Sequence, residues 1–371
     1  MKILVTGAAG FVGKNLIANL KSENKHEIYE YDIDTDPSLL DTFARDCDFV
    51  FHLAGVNRPQ NDDEFIEGNF GFTSHILNTL KKHNNRCPVM LSSSTQAALD
   101  NPYGKSKRMG EQLLFDYGKQ TGALTFVYRF PNVFGKWSRP NYNSVVATFC
   151  HNIARDLPIK INDPDTQLKL VYIDDVVEEL VRALAGGPTK DGDYCTVPVV
   201  YSATLGRIAE LLYSFRHSRK TLAVPDMSDM FEKKLYSTYL SFLPPDGFSY
   251  PLKANCDERG SFTEILKTPE RGQFSVNITK PGVTKGNHWH NTKNEKFLVV
   301  SGQGVIKFRR IGSDEVFSIN VSKDDMRVVD IPPGFTHSIT NTGDSDLVTF
   351  MWANEIFDSD NPDTYYEEVI A

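Results

Sequence analysis

From Met1 to about Leu243, the chain alternates between short apolar runs and longer stretches in which apolar residues recur at helical spacing. Val12–Lys21 and Thr73–His83 show the helical spacing, with apolar residues three or four positions apart. Short runs rich in β-branched and aromatic residues predict strands at Ile3–Thr6, Ile28–Tyr31, Phe49–Leu53, Val89–Ser92, Leu124–Phe130 and Leu170–Ile173. Strands that alternate with helices indicate βαβ units, so this part of the chain should form a doubly wound parallel sheet.

The pattern changes near Phe242–Leu252, where Pro244, Pro245 and Pro251 interrupt any regular element. Beyond this point helical spacing mostly disappears, and strands are predicted at Gln273–Thr279, Lys296–Val300, Gly304–Arg309, Val316–Val321 and Leu347–Trp352. Short strands separated by Gly, Pro, Asn and Asp are typical of an antiparallel sandwich or a small β-barrel of the jelly-roll kind. We therefore expect two domains, residues 1–245 and 246–371, which also suits a chain too long for one core.

Composition and charge exclude several kinds of partner. The formal net charge of −8 gives no basic excess that would attract nucleic acid. No apolar run approaches the roughly 20 residues needed to span a bilayer, and the N-terminus runs into a glycine turn instead of a signal peptide. The five scattered cysteines form no CxxC pair, so neither disulfides nor a zinc knuckle are expected. These features predict a cytoplasmic protein without a nucleic-acid or membrane partner.

A glycine-rich turn follows the first predicted strand and opens the first helix, with the sequence Thr6-Gly7-Ala8-Ala9-Gly10-Phe11-Val12-Gly13. Small residues allow the backbone to approach a pyrophosphate, and the helix N-terminus supplies free N–H groups and the positive end of its dipole. Asp32, at the end of the second strand, stands where a ribose-binding carboxylate is expected. A carboxylate here favours NAD, whereas Arg58 could offer a partner to the phosphate of NADP. The residues leave that choice open.

Tyr103 and Lys107 are spaced so that they share one face of a helix. An ammonium beside a phenol should lower the pKa of the tyrosine, which could then donate a proton as hydride reaches a ketone. A hydroxyl from the preceding strand end, Ser94 or otherwise Thr95, would hydrogen-bond the same oxygen. The alternative is a core tyrosine next to a surface lysine. The serine-rich strand end and the glycine turn favour catalysis.

These motifs, together with His52-Leu53-Ala54-Gly55 and Arg129-Phe130-Pro131-Asn132-Val133-Phe134-Gly135, resemble the extended short-chain dehydrogenase/reductase family. Relatives usually leave a longer segment between the hydroxyl residue and the tyrosine, so a substrate-covering loop is trimmed here. The resemblance implies cofactor contacts from Gly7, Gly10, Phe11, Val12, Gly13, Asp32, Leu53, Ala54, Tyr103 and Lys107. It also implies nucleotide-sugar contacts from Asn132, Asn143 and Arg155, with turn and helix-surface roles as alternatives for the last two.

A second set of motifs lies in the β-rich part: Gly282-x5-His288-Trp289-His290-x4-Glu295-x6-Gly302, followed by His337. His288 and His290 are two positions apart, so on a strand both side chains point to the same face. Three imidazoles and a carboxylate suit Zn, Fe, Mn, Ni or Cu. The motifs resemble those of the cupin superfamily. Its members also include sugar binders and epimerases that use a histidine base without metal.

The two domains suggest successive reactions on one keto-sugar. Protons beside a ketone are acidic, and a Lewis-acidic metal would stabilise the enolate left after their removal. The whole chain resembles the bifunctional capsule-biosynthesis reductases of bacteria. That resemblance implies C3 epimerisation of a UDP-2-acetamido-2,6-dideoxy-4-hexulose in the cupin domain, and NADPH-dependent C4 reduction in the first domain. The product would be UDP-N-acetyl-6-deoxy-L-talosamine, on the route to UDP-N-acetyl-L-fucosamine.

The same resemblance implies zinc and a homodimer. The acid and base of the epimerase site are not assigned, and Lys285 and Lys296 are interpreted as surface lysines. Two other functions are kept as alternatives. The first is a single-activity dehydratase or 4-epimerase with a non-catalytic cupin, and the second is a non-catalytic nucleotide-binding regulator, although such regulators often lose the tyrosine or lysine.

Overall fold

The computed structural model describes residues 1–59, 61 and 63–370. The described chain divides into two compact units. Unit 1 comprises Met1–Ser214 and Asp229–Pro244, and unit 2 comprises Phe215–Ser228 and the chain from Pro245 onward. The chain thus leaves unit 1 twice, and the single domain boundary near residue 245 stays a prediction.

Unit 1 alternates strands and helices. Its elements are β1 (Lys2–Thr6), α1 (Phe11–Ser22), β2 (Glu27–Tyr31), α2 (Ser38–Asp46), β3 (Phe49–His52), α3 (Asp63–Phe65), α4 (Phe72–Lys82), β4 (Val89–Ser94), α5 (Pro102–Thr121), β5 (Thr125–Phe130), β6 (Asn132–Phe134), α6 (Val145–Ile153), β7 (Gln167–Tyr172), α7 (Ile173–Leu184), β8 (Lys190–Asp191), β9 (Tyr194–Cys195), β10 (Tyr201–Thr204), α8 (Leu205–Thr221), which continues into unit 2, and α9 (Met230–Ser241). A π-helical turn, Ile66–Gly71, leads from α3 into α4. A 3₁₀ turn, Thr95–Ala98, follows β4.

The main sheet of unit 1 has the strand order β2-β1-β3-β4-β5-β9-β8, and the pairs from β2 to β9 are parallel. A smaller sheet has the order β10-β7-β6. The predicted doubly wound parallel sheet with helices is therefore confirmed.

The core of unit 1 covers both faces of this sheet. Ile3 and Val5 pack with Leu16 of α1 on one face, whereas Leu4 packs with Ile76 of α4 on the other. A strand that is apolar on both faces must be covered on both, which is why β1 lies inside the sheet and not at an edge. The carboxyl ends of β1, β3 and β4 consequently meet at one edge, where the sequence motifs lie.

Unit 2 is built from antiparallel strands. They are β11 (Ala254–Asp257), β12 (Gly260–Thr268), β13 (Gly272–Thr279), β14 (Thr284–Trp289), β15 (Glu295–Ser301), β16 (Gln303–Arg310), β17 (Val316–Ser322), β18 (Val328–Ile331), β19 (Phe335–Asn341), β20 (Leu347–Ala353) and β21 (Tyr365–Tyr366). One sheet has the order β11-β12-β13-β20-β15-β18, and the other has the order β17-β16-β19-β14-β21. This arrangement confirms the predicted antiparallel two-sheet fold.

The apolar core of unit 2 contains Phe297, Ile306, Phe308, Ile331 and Ile339, which come from strands of both sheets. The alternating side chains of β15, β16, β18 and β19 supply them, as expected for strands with one inward face. In the part of the chain that the structure describes, no helix is both long and apolar enough to cross a membrane.

Candidate active site and metal centre

The glycine-rich turn after β1 is packed so closely that side chains are excluded at two of its positions. A Cβ atom at Gly7, where φ is +69°, would lie 2.7 Å from the backbone nitrogen of Ala54. A Cβ atom at Gly13 would lie 2.2 Å from the carbonyl oxygen of Gly7. These glycines therefore hold the start of α1 directly against the ends of β1 and β3.

The first turn of α1 has neither a side-chain cap nor an acidic residue, and it begins at Phe11 after the N-cap residue Gly10. Its backbone N–H groups, including that of Val12, suit an anion such as a pyrophosphate. Leu53 is held beside this turn because its N–H donates to the carbonyl oxygen of Thr6 at 3.1 Å. The expected dinucleotide-binding residues after β1 and β3 thus lie together, and their contacts with a cofactor stay a prediction.

Asp32, after β2, is engaged with the same turn. Its Oδ2 accepts the N–H of Ala9 at 2.8 Å, and its Oδ1 accepts the N–H of Ile33 at 2.8 Å. The carboxylate is thus fixed next to the glycine-rich turn, where a ribose is expected. The preference between NADH and NADPH stays a prediction.

Tyr103 and Lys107 stand one turn apart near the start of α5, which begins after the N-cap residue Asn101. The Lys107 Nζ lies 5.9 Å from the centroid of the Tyr103 ring, and it donates a hydrogen bond to the carbonyl oxygen of Ser92 at 3.2 Å. Ser94, at the end of β4, is close enough to Tyr103 for its hydroxyl to lower the pKa of that phenol. The structure therefore brings the three predicted catalytic side chains together.

The protonation of this group differs from the sequence prediction. Burial raises the pKa of Tyr103, although the hydrogen bond from Ser94 opposes this shift. Burial lowers the pKa of Lys107 to about 8, with partial compensation from Glu111. The predicted depression of the tyrosine pKa by the lysine is thus not seen. Desolvation acts on both groups and favours the neutral form of each.

Sequence reasoning missed Asn69, which lies with Gly55 beside Lys107. A Cβ atom at Gly55 would lie 2.9 Å from the Lys107 Nζ and 2.8 Å from the Oδ1 of Asn69. Asn69 is buried in the π-helical turn, where its side chain pairs with both backbone groups of Val56 and donates to the Ser106 hydroxyl. Asn69 thus fixes the loop after β3 against α5. A single asparagine has no spacing motif that could have identified it.

A pocket of about 250 Å³ adjoins Tyr103. It is lined by Asn57, Phe65, Gln96, Asn101, Pro102, Tyr103 and Asn143. Of the three predicted substrate contacts, only Asn143 is among these lining residues. Asn132 donates to the carbonyl oxygen of Lys169 at 3.1 Å, and Arg155 donates to that of Phe242 at 2.8 Å. The structure therefore places Asn143, but neither Asn132 nor Arg155, at the pocket of Tyr103.

In unit 2 the four predicted metal ligands lie together, although not quite as the sequence suggested. One ligand atom from each of His288, His290, Glu295 and His337 lies within 4.8 Å of the others. His288 on β14 is paired directly with His337 on β19, and Glu295 is the first residue of β15. His290, however, follows the end of β14 and is not on the strand with His288. Its position therefore depends on a loop as well as on the strand register.

The cluster leaves buried polar atoms without partners, which is the condition a metal ion would relieve. Within the described residues, the Nε2 atoms of His290 and His337 and the Oε2 of Glu295 have no hydrogen-bond partner. The Glu295 Oε2 lies 3.3 Å from the His337 Nε2 and 3.5 Å from the His290 Nε2. Three lone-pair atoms that converge in a buried space fit a divalent cation.

The protonation states also suit metal ligands. Burial, followed by the nearby His337, lowers the pKa of His288 to about 3, so that its imidazole is neutral at neutral pH. Burial alone would raise the pKa of Glu295, but the imidazoles of His290 and His337 and the ammonium of Lys293 hold it well below its usual range. Metal binding requires a neutral imidazole and an ionised carboxylate, and both are present without displacement of a proton.

Asp363, which sequence reasoning also missed, fixes the loop that carries His290. Its carboxylate accepts the backbone N–H groups of Asn291, Thr292 and Lys293 at 2.7–2.9 Å. Its carbonyl oxygen lies 2.5 Å from the Nδ1 of His290. A carbonyl oxygen can only accept, so Nδ1 carries the proton and Nε2 is left as the metal-binding atom.

The interpretation of Lys285 as a surface lysine is wrong. Its ammonium donates to the Oδ1 of Asn277 at 2.8 Å and to the carbonyl oxygen of Ile278 at 2.9 Å, and burial lowers its pKa. Lys296, in contrast, is half exposed and pairs with the exposed Asp330. Lysine spacing alone could not separate the two, because the partners of Lys285 lie on β13, in the other sheet.

Comparison with known proteins finds a family model for each of two parts of the chain. Residues 3–194 match the NAD dependent epimerase/dehydratase family, and residues 255–365 match the polysaccharide biosynthesis C-terminal domain. The chain is 46% identical to the UDP-2-acetamido-2,6-beta-L-arabino-hexul-4-ose reductase of Pseudomonas aeruginosa, over 98% of each chain.

Solved structures of capsular polysaccharide assembling protein CapF from Staphylococcus aureus resemble the whole chain. One is 55% identical with a TM-score of 0.95, and covers 99% of this chain and 100% of its own. A structure of CapF with the inhibitor 3-isopropenyl-tropolone has a TM-score of 0.90 at 50% identity, with the same coverage. The chain therefore belongs to the NAD dependent epimerase/dehydratase family, as a CapF-like protein with a polysaccharide biosynthesis C-terminal domain.

Proposed function

We propose that the protein is a nucleotide-sugar enzyme of bacterial capsule or surface polysaccharide biosynthesis with two activities. Unit 2 epimerises C3 of a UDP-2-acetamido-2,6-dideoxy-4-hexulose, and unit 1 then reduces the C4 ketone with NADPH. The observation that carries this proposal is the presence, on one chain, of Ser94, Tyr103 and Lys107 beside a pocket and of a buried four-ligand cluster. The name of the Pseudomonas relative, which covers nearly the whole chain, supports the 4-keto-sugar as substrate.

In the reductive step, NADPH at the glycine-rich turn would supply the hydride. The Tyr103 hydroxyl would donate its proton to the ketone oxygen, assisted by the Ser94 hydroxyl on the same oxygen. Because burial raises the pKa of Tyr103, this side chain is protonated at neutral pH, which is the form that a general acid needs. The buried Lys107 ammonium would stabilise the tyrosinate after transfer.

In the epimerisation step, a divalent metal such as zinc, held by His288, His290, Glu295 and His337, would act as a Lewis acid on the ketone and acidify the proton at C3. The neutral His288 and the ionised Glu295 are the states required to hold it. The fixed tautomer of His290 supports the same role. The product of the two steps would be UDP-N-acetyl-6-deoxy-L-talosamine. We also propose that the protein acts as a cytoplasmic homodimer.

The direct test is to incubate the full-length protein with the keto-sugar and either NADPH or NADH, and to identify the product by NMR. We expect stoichiometric oxidation of NADPH and a C3-inverted 4-hydroxy sugar. Conversion without net oxidation of cofactor would instead indicate a dehydratase or 4-epimerase, because these enzymes recycle their nicotinamide. Binding of nucleotide without any conversion would indicate a regulator.

The epimerase half has its own test. Full-length protein in D₂O, with the keto-sugar but without nicotinamide, should incorporate deuterium at C3. His290→Ala should stop the incorporation. Exchange that persists undiminished in this variant would contradict the proposed role of the metal cluster.

A further inference from the structure

Two arginine side chains in unit 1 flank one tyrosine. The guanidinium carbon of Arg58 lies 5.9 Å from the centroid of the Tyr142 ring, and that of Arg139 lies 5.1 Å from the same centroid. At these distances a guanidinium is attracted to the ring face, so Tyr142 fixes both cations near each other. Both arginines are exposed, and neither pairs with a carboxylate among the residues that the structure describes. Two such cations around one aromatic ring are candidates to bind an anion.

This pair lies at the edge of the pocket that contains Tyr103. Asn57 and Asn143 both line that pocket, and they directly adjoin Arg58 and Tyr142 in the chain. The cations are thus near the reacting group but do not line the pocket around it.

The size of the pocket shows which part of a substrate must lie outside it. Its volume of about 250 Å³ is below the roughly 300–1,000 Å³ of sites that enclose a drug-sized ligand. A sugar nucleotide is larger than such a pocket, so only its hexose would fit beside Tyr103. The diphosphate must then lie at the pocket edge, where a protein of net charge −8 needs local cations to hold it.

We propose that Arg58 and Arg139, positioned by Tyr142, bind the diphosphate of the sugar-nucleotide substrate. Arginine suits this task because its planar guanidinium donates paired hydrogen bonds to phosphate oxygens. The inference rests on the proposed function, since it assigns the substrate's anionic part to the reduction pocket. It also gives Arg58 a different role from the one that the sequence suggested, which was to bind the phosphate of NADP. Tyr142, whose ring Arg58 contacts, directly precedes Asn143 of the substrate pocket. Asp32, the residue expected at the cofactor ribose, is bound instead to the glycine-rich turn.

The test measures binding of UDP to the full-length protein by calorimetry, with NADPH binding measured in parallel. Arg58→Gln and Arg139→Gln should each weaken UDP binding about tenfold, as expected for loss of a charge-assisted contact. Affinity for NADPH should stay unchanged. With the keto-sugar, KM should rise in proportion while kcat changes little. Arg86→Gln is the matched control, because Arg86 is exposed but precedes β4 at the opposite edge of the sheet, and it should bind UDP like the unaltered protein.

Two results would overturn the inference. The first is UDP affinity in Arg58→Gln and Arg139→Gln equal to that of Arg86→Gln. The second is loss of NADPH affinity with UDP affinity retained, which would assign the cations to the cofactor phosphate. Arg139→Lys should keep part of the UDP affinity, so a folding defect in the glutamine variant can be recognised. UDP binding does not require turnover. If no NADPH is oxidised in the presence of the keto-sugar, the proposed function is contradicted. The UDP affinities of the variants would still show whether Arg58 and Arg139 bind the diphosphate.

Discussion

At the residue scale, burial controls the protonation of the groups around the reduction pocket more strongly than pairing does. The pKa of Tyr103 rises and that of Lys107 falls to about 8 because both side chains are removed from water. His52, buried between the hydroxyls of Thr6 and Thr73, has its pKa lowered to about 3 for the same reason, with a further contribution from Lys107. The site thus holds a neutral histidine and a protonated phenol next to a lysine that titrates near neutrality.

The role of Tyr103 can be isolated by removal of one oxygen atom. Tyr103→Phe keeps the ring and its contact with Phe65 but cannot donate a proton. We expect NADPH oxidation to fall by roughly 10²–10⁴-fold, the usual contribution of general acid catalysis. Deuterium incorporation at C3 should be unchanged, because the metal cluster is in the other unit. Loss of both activities together would contradict the assignment of one reaction to each unit.

Burial of Lys107 should make the protein less stable near neutral pH. The unfolded lysine titrates near its ordinary pKa of 10.5, but the folded one titrates near 8, so between these values the unfolded chain binds more protons. The free energy of unfolding therefore rises with pH through this window. Lys107→Met should stabilise the protein at pH 7 by up to about 3 kcal/mol, and the gain should shrink toward pH 10.5.

Urea denaturation at several pH values measures this effect. Lys105→Met is the control, since Lys105 is exposed and pairs with the exposed Asp100. A stability difference for Lys107→Met that does not depend on pH, or a loss of stability at pH 7, would show that desolvation of the ammonium is not the dominant contribution.

At the element scale, the sequence predicted the strands whose hydrophobic pattern is uniform. β1, β3 and β4 are apolar on both faces, and their predicted ends lie within two residues of the observed ends. The predicted ends of β13, β15 and β16 are equally close to those observed. β14 and β19 were not predicted as strands from their pattern, because their inward positions carry histidines and other polar residues. The metal ligands could be identified because histidine and glutamate stand at a characteristic spacing.

Contacts between distant segments could not be predicted. Asn69, Lys285 and Asp363 each act through partners that only the fold brings near. No local pattern marks an asparagine in a π-helical turn, or a carboxylate far along the chain from the loop that it binds. Arg155 shows the converse, since the family resemblance suggested a substrate contact but its guanidinium is engaged by backbone carbonyls.

The loop after β14 provides a prediction at this scale. Asp363→Ala removes the acceptor for three backbone N–H groups and loosens the carbonyl that orients His290. We expect the affinity for Co²⁺ to fall roughly 10–100-fold, as for other groups that orient metal ligands. The visible spectrum of bound Co²⁺ should change as well. Asp358→Ala is the control, because Asp358 is exposed and accepts the nearby N–H of Asp360. Equal Co²⁺ affinity in the two variants would contradict this role.

At the scale of the whole molecule, one chain carries a reduction pocket and a metal cluster in separate compact units. The two sites differ in the chemistry they can supply. The pocket contains a proton donor, whereas the cluster contains converging lone pairs that can bind a metal ion. If both act on one keto-sugar, the order is determined by chemistry. The proton at C3 is acidic only while C4 is a ketone, so epimerisation must precede reduction.

Metal removal tests this order on the intact protein. Treatment with a chelator should abolish deuterium incorporation at C3, while reduction of a keto-sugar already inverted at C3 should continue at close to its original rate. Re-addition of Zn²⁺ or Co²⁺ should restore the exchange. If reduction of the inverted sugar also stops on chelation, the metal serves both units and the division of labour is wrong.

The contact between Asp363 and the His290 loop has a consequence for how the protein matures. The ribosome synthesises all four metal ligands before it reaches Asp363. A nascent chain therefore contains the complete ligand set while the loop after β14 still lacks its carboxylate anchor. If Asp363 orients His290 as proposed, ions captured before the segment around Asp363 docks are held weakly and can exchange. Firm retention of the metal then begins only when the segment around Asp363 has docked.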